Sequence, residues 1–374
     1  MVSSQVKHAL HVALLVTVII VFEVLTDGLH LRKSQPDLDP FVTYGVLATL
    51  MLYLLRMLAF LPLPQVVPVE YKTKSGAMFK ARALQYCLED GINSLADTDW
   101  IVHLDEETLL TDNSIRGILN FVLDGKHSFG QGLITYANED VVNWITTLAD
   151  SFRVADDMGK LRLQFSLFHR PLLSWKGSYV VTQVRAEREV TFDNGPDGSV
   201  AEDCFFAMKA YSLGYTFDFI EGEMWEKSPF TLWDFVQQRK RWLQGILLVV
   251  HSKQIPLGKK VWLGISCYSW VTMPLSTSNI VLAGLCPIPC PPLVDFTCAF
   301  IASVSIYMYV FGVIKSISLY RFGVVKFILC ILGAIATIPV NIVIENLAVV
   351  WGLFGNKHKF YIVNKDLRPP PILV

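Results

Sequence analysis

Charge is scarce in this sequence, and neither sign dominates. Charged residues make up 17% of the 374 residues, and the formal net charge at neutral pH is −1. A chain so close to neutral has no global field that would favour nucleic acid, so no nucleic-acid partner is expected. The sequence also has no internal repeat, low-complexity tract or N-x-S/T sequon. Any anionic partner must be held by locally arranged groups.

Cysteine is present but lacks the spacing of a metal or redox motif. The seven cysteines include no C-x-x-C pair and no Cys/His grouping at zinc spacing. We interpret most of them as buried thiols. Only Cys286 and Cys290, in CPIPCPP, lie close together in a predicted loop, and the prolines between them restrict the geometry that a disulfide needs.

Long hydrophobic runs are the most prominent feature. At 52% hydrophobic residues, the chain is too apolar for one soluble domain and too polar for a bundle of spans alone. The runs 9–25 and 41–62 are long enough to span a ~30 Å hydrocarbon layer, and we interpret the first as an anchor rather than a cleaved signal. Three more apolar blocks follow at 261–284, 293–316 and 324–353. The last of these is long enough to tilt strongly, or to break at Pro339 and re-enter the membrane.

These runs predict four parts of the chain. They are two N-terminal transmembrane helices (1–64), a water-facing domain (65–260), a C-terminal transmembrane region (261–355) and a basic tail (356–374). Basic residues flank the later spans, namely Lys259, Lys260, Lys315, Arg321 and Lys326. By the positive-inside rule, these residues place the water-facing domain in the cytosol.

The water-facing domain alternates short apolar runs with amphipathic helical patterns. Strands are predicted at 100–104, 129–136, 177–184 and 215–220. Helices are predicted at 78–90, 113–124, 139–156 and 200–213. Such alternation is typical of an α/β layer fold.

The stretch WIVHLDEETLL is an apolar strand that ends in carboxylates. Asp105 and Glu107 would lie in the crevice where α/β sheets bind ligands, and could share a divalent cation that bridges a diphosphate. The alternative is a solvated turn that caps the helix starting near Asp112.

The stretch GSVAEDCFFAMKAYS carries two further carboxylates. Asp203, at a helix start and aimed into the crevice, could take a proton from an attacking hydroxyl. Its alternative is a favourable charge at the helix dipole. Ser199 and Glu202 have capping-box spacing, so Glu202 could simply hold the helix start.

Two more stretches complete the candidate site. In FTLWDFVQQRKRWLQGILLVV, an interfacial helix at about 230–250, the pattern Q-x-x-R-W offers the Gln238 amide, the Arg241 guanidinium for a phosphate and the Trp242 indole face for a sugar. Membrane-surface packing alone would explain most of this helix. In LLSWKGSYVVT, Gly177 belongs to a possible lip over an acceptor, whereas core packing is the better interpretation of Trp175.

The order D-x-E, E-D and Q-x-x-R-W, followed by membrane spans, resembles the family 2 inverting glycosyltransferases. Within that family the sequence is most similar to the invertebrate egghead-type β-1,4-mannosyltransferases. The resemblance implies an α/β GT-A-like catalytic domain inserted between transmembrane α-helices of the Golgi or endoplasmic reticulum. It also implies transfer of mannose from GDP-mannose to glucosylceramide.

The resemblance further assigns a role to each motif residue. Asp105 and Glu107 would hold Mn²⁺ or Mg²⁺, and Asp203 would be the base. Residues implied to contact the donor diphosphate or the acceptor are Gln238, Arg241, Trp242, Glu202 and Gly177. By its motifs alone, a processive polysaccharide synthase is also possible. A transporter is disfavoured because the predicted spans contain few charges.

The sequence departs from this family before its first carboxylates. GT-A domains begin with a nucleotide-binding half, and each β-α-β unit takes ~30 residues or more. Only about 35 residues separate Pro64 from Trp100, enough for one strand, VVPVEY, and one helix. We therefore expect a domain truncated in its N-terminal half, with a former central strand exposed as an edge. Such a chain could be an incomplete or spliced product, a folded pseudoenzyme, or a relative with a rebuilt donor site.

Overall fold

The computed structural model describes residues 66–137, 141–286, 289, 291–356 and 360–363. For Ile280 and Ala283 it describes the backbone alone. The two predicted N-terminal spans, Cys290 of the possible disulfide and most of the predicted basic tail lie outside the described residues.

A four-stranded mixed sheet forms the centre of the domain. Its strands are β1 (Trp100–His103), β2 (Phe129–Tyr136), β3 (Val180–Gln183) and β4 (Phe217–Glu226), in the spatial order β1-β3-β2-β4. β3 runs antiparallel to β1 and to β2, whereas β2 and β4 are parallel. Every residue of β2 is buried, which suits a central strand covered on both faces. All four predicted strands are confirmed in their central residues.

β1 lies at an edge of this sheet. Among the described residues its only neighbouring strand is β3, with Trp100 opposite Gln183 and His103 opposite Val180. Val102 of β1 is 38% exposed. The free side of β1 could pair with a further strand, and the loss of a former neighbour stays a prediction.

Five helices accompany the sheet. They are α1 (Phe79–Leu88), α2 (Asp112–Asp124), α3 (Trp144–Leu161), α4 (Val184–Val190) and α5 (Glu202–Ser212). α3 continues into a π-helical turn at Arg162–Leu167 and starts later than predicted, because Asn143 caps it by accepting from Ile145 N. The short helix α4 was not predicted from the sequence.

Two helix caps that the sequence suggested are wrong. The turn at Asp105 does not cap α2, because the Thr111 hydroxyl accepts from Ser114 N and the Ser114 hydroxyl accepts from Thr111 N. Ser199 does not cap α5 either, because its hydroxyl accepts from Met78 N at 2.8 Å. The N-cap of α5 is Ala201, which makes no side-chain cap bond.

The predicted strand VVPVEY is also wrong. Residues 66–71 form irregular structure with a turn, and Val69 is 89% exposed. Pro68 has no N–H to donate to a ladder. The Arg82 guanidinium instead satisfies carbonyls of this segment, since Nε donates to Tyr71 O at 2.9 Å and Nη2 to Val69 O at 3.3 Å.

Aromatic rings fill the core beneath the sheet. Phe129 of β2 stacks on Phe217 of β4 with ring centroids 5.2 Å apart. Trp175 packs edge-on against Phe217 at 5.0 Å and against Phe165 at 5.4 Å. The interpretation of Trp175 as a core residue is confirmed.

The remaining helices follow the domain. They are α6 (Leu232–His251), α7 (Leu257–Val271), α8 (Met273–Leu285), α9 (Pro292–Ser316), α10 (Leu319–Ala336) and α11 (Ile338–Phe354). Among the described residues, α9 and α10 are long and apolar enough to cross a membrane, and α11 is apolar but shorter. These helices associate the protein with a membrane.

Two of the predicted apolar blocks are each divided into two helices. The block 261–284 breaks at Thr272, with a proline in the first turn of α8. The block 324–353 breaks at Thr337, with Pro339 in the first turn of α11. Because proline is tolerated only in the first turn of a helix, each break falls just before one. The predicted break at Pro339 is confirmed, and re-entry into the membrane stays a prediction.

Candidate functional site

Asp105 lies just beyond the carboxyl end of β1. Its carboxylate is 42% exposed, and Oδ1 lies 2.6 Å from Nζ of Lys80 on α1. The Asp105 N–H donates to Ser178 Oγ at 3.2 Å. Burial lowers the pKa of Lys80, but the Asp105 and Glu202 carboxylates raise that pKa by more. Lys80 is therefore a charged counter-ion at the first predicted carboxylate.

Glu202 and Asp203 lie side by side in the first turn of α5. Asp203 Oδ1 accepts from Cys204 N at 2.7 Å. Burial raises the pKa of Asp203. Burial, together with the neighbouring Asp203 charge, raises the pKa of Glu202 to about 7. A buried acid beside a half-buried one, both with upward pKa shifts, is typical of a site that handles a proton.

Gly177 lies close to Asp203, and its role as a lip over an acceptor stays a prediction. A Cβ added at Gly177 would lie 3.4 Å from Asp203 Oδ2 and 3.4 Å from Lys80 Nζ. Any longer side chain would fill the space between these two groups. The glycine therefore keeps the face of the Asp203 carboxylate open to a ligand.

Arg241 of α6 faces the same carboxylates. Its charge interacts with Glu202, Asp203, Asp105 and Glu107. Its Nε is buried and makes no hydrogen bond to any described residue. The guanidinium thus keeps donor capacity for a bound anion such as a phosphate.

The other two residues of Q-x-x-R-W contact protein side chains. Gln238 is buried, and its Oε1 accepts from Arg239 Nη1 at 3.2 Å. The Trp242 ring lies under two guanidinium groups, with Arg153 4.0 Å and Arg239 4.4 Å from its centroid. Contact of Gln238 and Trp242 with diphosphate or acceptor sugar stays a prediction.

Residues 360–363 lie beside Arg241. The Phe360 ring is 4.5 Å from the Arg241 guanidinium and stacks on Phe79 at 4.9 Å. The Tyr361 hydroxyl donates to Asp234 Oδ1, at the start of α6, at 2.7 Å. This segment, predicted only as part of a basic tail, closes one side of the site.

The residue types fit a divalent cation that is shared with a ligand. Asp105 and Glu107 supply the oxygen ligands that Mg²⁺ and Mn²⁺ prefer. In the part of the chain that the structure describes, no group of three or more His, Cys, Asp or Glu side chains could hold a metal ion. Two carboxylates would leave the other positions of a divalent cation to water or to ligand oxygens, and the Lys80 ammonium would compete with the cation for Asp105.

Three site residues were missed by sequence reasoning. Lys80 and Phe360 are remote in sequence from the motifs that they contact, and no local pattern marks them. Arg153 did have a signal, because Asp150, Arg153 and Asp157 are spaced three and four residues apart, which places them on one face of α3.

Comparison with protein families decides the class. Residues 100–334 match the model described as glycosyl transferase family group 2. The chain belongs to the family 2 glycosyltransferases. The matched region of this glycosyltransferase contains every predicted site residue from Asp105 to Trp242, whereas Lys80 and Phe360, which contact these residues, lie outside it.

Three relatives of this family 2 glycosyltransferase are β-1,4-mannosyltransferases. The chain is 60% identical to β-1,4-mannosyltransferase egh of Drosophila melanogaster over 451 residues, which cover 98% of this chain and 99% of the relative. It is 50% identical to β-1,4-mannosyltransferase bre-3 of Caenorhabditis elegans, with the same coverage. It is 64% identical to bre-3 of Caenorhabditis briggsae over 305 residues, which cover 81% of this chain and 67% of the relative.

Proposed function

We propose that this glycosyltransferase is a β-1,4-mannosyltransferase that moves mannose from GDP-mannose to glucosylceramide with inversion. The observation that carries the proposal is the 60% identity to a β-1,4-mannosyltransferase over nearly the whole of both chains. The site supports it, because a buried acid and an arginine with a free donor face the same space.

In the proposed reaction each of these groups acts at a defined atom. Asp203 takes the proton of the acceptor hydroxyl, whose oxygen then bonds to the anomeric carbon while the bond to the diphosphate breaks. The Arg241 guanidinium stabilises the charge on the departing diphosphate. Gly177 leaves room for the acceptor beside Asp203. Asp105 and Glu107 would hold Mn²⁺ or Mg²⁺, which when bound supplies further positive charge to the diphosphate.

The proposed location is a Golgi or endoplasmic-reticulum membrane, with the catalytic domain in the cytosol. Basic residues of the apolar helices contact the domain, which supports placing these parts of the helices and the domain on the same side of the membrane. Lys315, in the last turn of α9, lies 3.1 Å from Glu223 of β4. Lys326 of α10 lies 5.1 Å from the Trp144 ring at the start of α3.

The second candidate is a chain that lacks part of its nucleotide-binding half and transfers nothing. The comparison with the Drosophila relative extends over 451 residues, more than the 374 of this chain, so the relative has residues without a counterpart here. The edge position of β1 is the place in the described fold where such a half would attach. An incomplete or alternatively spliced product and a folded pseudoenzyme that binds a partner or the acceptor lipid are both versions of this candidate, whereas a relative with a rebuilt donor site would transfer mannose.

One assay separates these functions. The purified chain, its Asp203→Asn variant and a version with the missing segment of the relative restored are given GDP-mannose and glucosylceramide. Single-mannose transfer by the chain, abolished in Asp203→Asn, is the expected result. Transfer by the restored version alone identifies an incomplete enzyme. A product that grows by many sugars would instead identify a polysaccharide synthase.

A further inference from the structure

A line of polar contacts runs through the protein beside the site. Arg153, on α3, is the residue at its centre. Its side chain is 22% exposed and its Nε lies 3.6 Å from Asp157 Oδ2, one helical turn away. No motif of the family domain described above includes Arg153, so its burial requires another explanation.

On one side Arg153 contacts Trp242. The Arg153 guanidinium lies 4.0 Å and the Arg239 guanidinium 4.4 Å from the centroid of the indole ring. Guanidinium groups stack on indole rings through cation–π attraction, which is strongest where water is excluded. Two such contacts fix the plane of the Trp242 ring.

The second of these arginines is itself held from two directions. Arg239 forms an ion pair with Asp150 of α3, which is fully buried. Its Nε also donates to Glu345 Oε1 of α11 at 3.1 Å. Both arginines are paired with carboxylates. If either guanidinium left the indole ring, it would leave a carboxylate without its counter-ion.

On its other side Arg153 is linked to the lip of the site. Asp157, which pairs with Arg153, also forms an ion pair with Lys176. Burial, with the Arg153 charge close by, lowers the pKa of Lys176 to about 8. Lys176 immediately precedes Gly177, where an added Cβ would lie 3.4 Å from Asp203 Oδ2. The same helix face therefore contacts Trp242 and the segment that borders the base.

We propose that Arg153 is a positioning residue, which holds the Trp242 ring against Arg239 and, through Asp157, fixes the Lys176–Gly177 segment beside Asp203. It touches neither donor nor acceptor. The expected effect of Arg153 on mannose transfer rests on the proposed function, whereas its effect on the orientation of the Trp242 ring does not. The planar guanidinium is required, because an ammonium keeps the ion pair with Asp157 but cannot stack as a plane on the indole.

The test measures the Trp242 ring and the transfer rate in the same protein. The full chain is labelled with 5-fluorotryptophan in lipid nanodiscs, and the Trp242 ¹⁹F resonance is assigned by its loss in Trp242→Phe. Variants are Arg153→Lys and Arg153→Met. The matched control is Arg170→Met, because Arg170 also lies over an aromatic ring, Tyr211 at 5.8 Å, but outside this line of contacts.

The expected result is a shifted Trp242 resonance in both Arg153 variants and an unshifted one in Arg170→Met. In the transfer assay, kcat falls about ten-fold or more in Arg153→Met while KM for the nucleotide sugar stays within about two-fold, with Arg153→Lys intermediate. In Asp157→Asn the Arg153 guanidinium remains but loses its paired carboxylate, so the Trp242 resonance should shift in the same direction by a smaller amount. This variant also provides the test if Arg153→Met does not fold.

Two outcomes would overturn the proposal. An unshifted Trp242 resonance in the folded Arg153 or Asp157 variants shows that Arg153 does not fix the orientation of the Trp242 ring. An equal loss of kcat in Arg170→Met shows a general loss of stability rather than positioning. If the unaltered chain transfers no mannose, the proposed function fails, and the resonance alone decides whether Arg153 holds Trp242.

Discussion

Glu202 ties the stability of the site to pH. Burial raises its pKa to about 7 in the folded protein. The pKa of an unfolded glutamate lies near 4.3, so between about pH 4.3 and 7 the folded state binds more protons than the unfolded state. The contribution of Glu202 to the free energy of unfolding is therefore greatest below pH 4.3 and falls as the pH rises towards 7. We expect the melting temperature to fall over that range, and Glu202→Gln to remove much of the fall.

Glu70→Gln is the control for this measurement, since Glu70 is exposed. It should melt like the unaltered chain at every pH. An undiminished fall in Glu202→Gln would assign the pH dependence to another group.

The Lys80 ammonium would compete with a cation for the Asp105 carboxylate. This ammonium lies 2.6 Å from the carboxylate that the proposed function assigns to Mn²⁺ or Mg²⁺. Removing that charge leaves the carboxylate free, so Lys80→Met should bind Mn²⁺ more tightly than the unaltered chain does in the absence of nucleotide. Titration followed by electron paramagnetic resonance measures this affinity directly. Lys74→Met, at an exposed position of the same segment, should leave it unchanged.

At the scale of elements, α2 and β4 touch through a glycine. A Cβ added at Gly117 of α2 would lie 1.8 Å from the Glu221 carbonyl oxygen of β4. Gly117→Ala must therefore separate the helix from the strand, and we expect it to destabilise the protein by ~1–3 kcal/mol. Thermal denaturation in detergent provides the measurement.

Gly159→Ala is the matched control for this packing. Gly159 also lies inside a helix, α3, but has nothing within 4 Å of an added Cβ. Its replacement should be neutral or should stabilise by up to ~1 kcal/mol, because alanine is the better helix former. Equal destabilisation by both substitutions would contradict the close contact of α2 and β4.

Sequence reasoning located elements better than it located contacts. The strand ending before Asp105 and the helix beginning at Glu202 follow from local periodicity, which needs no knowledge of the rest of the chain. Ser199 has capping-box spacing, yet its hydroxyl accepts a hydrogen bond from the backbone N–H of Met78, which is remote in sequence. Lys80 and Arg153 were missed for the same reason, because their partners come together only in the folded protein.

At the scale of the whole molecule, the exposed edge of β1 shows where the chain is incomplete if the second candidate is correct. Restoring the segment present in the relatives should supply β1 with a second neighbour. Backbone amides of Trp100–His103 should then exchange with solvent more slowly, whereas those of buried β2 should change little. Hydrogen exchange read by mass spectrometry compares the two versions, and unchanged exchange at β1 would place the added segment elsewhere.

Helix α3 contacts both the apolar helices and the Trp242 side of the site. A Cβ at Gly312 of α9 would lie 1.8 Å from the Ser151 carbonyl oxygen, so the two helices are in backbone contact there. Arg153, two residues further along α3, lies over Trp242. Transmembrane helices tilt to match the thickness of the surrounding bilayer. Where α9 spans a bilayer, a tilt of α9 would be passed to α3 through this contact, so that the thickness of the membrane would affect the rate of sugar transfer.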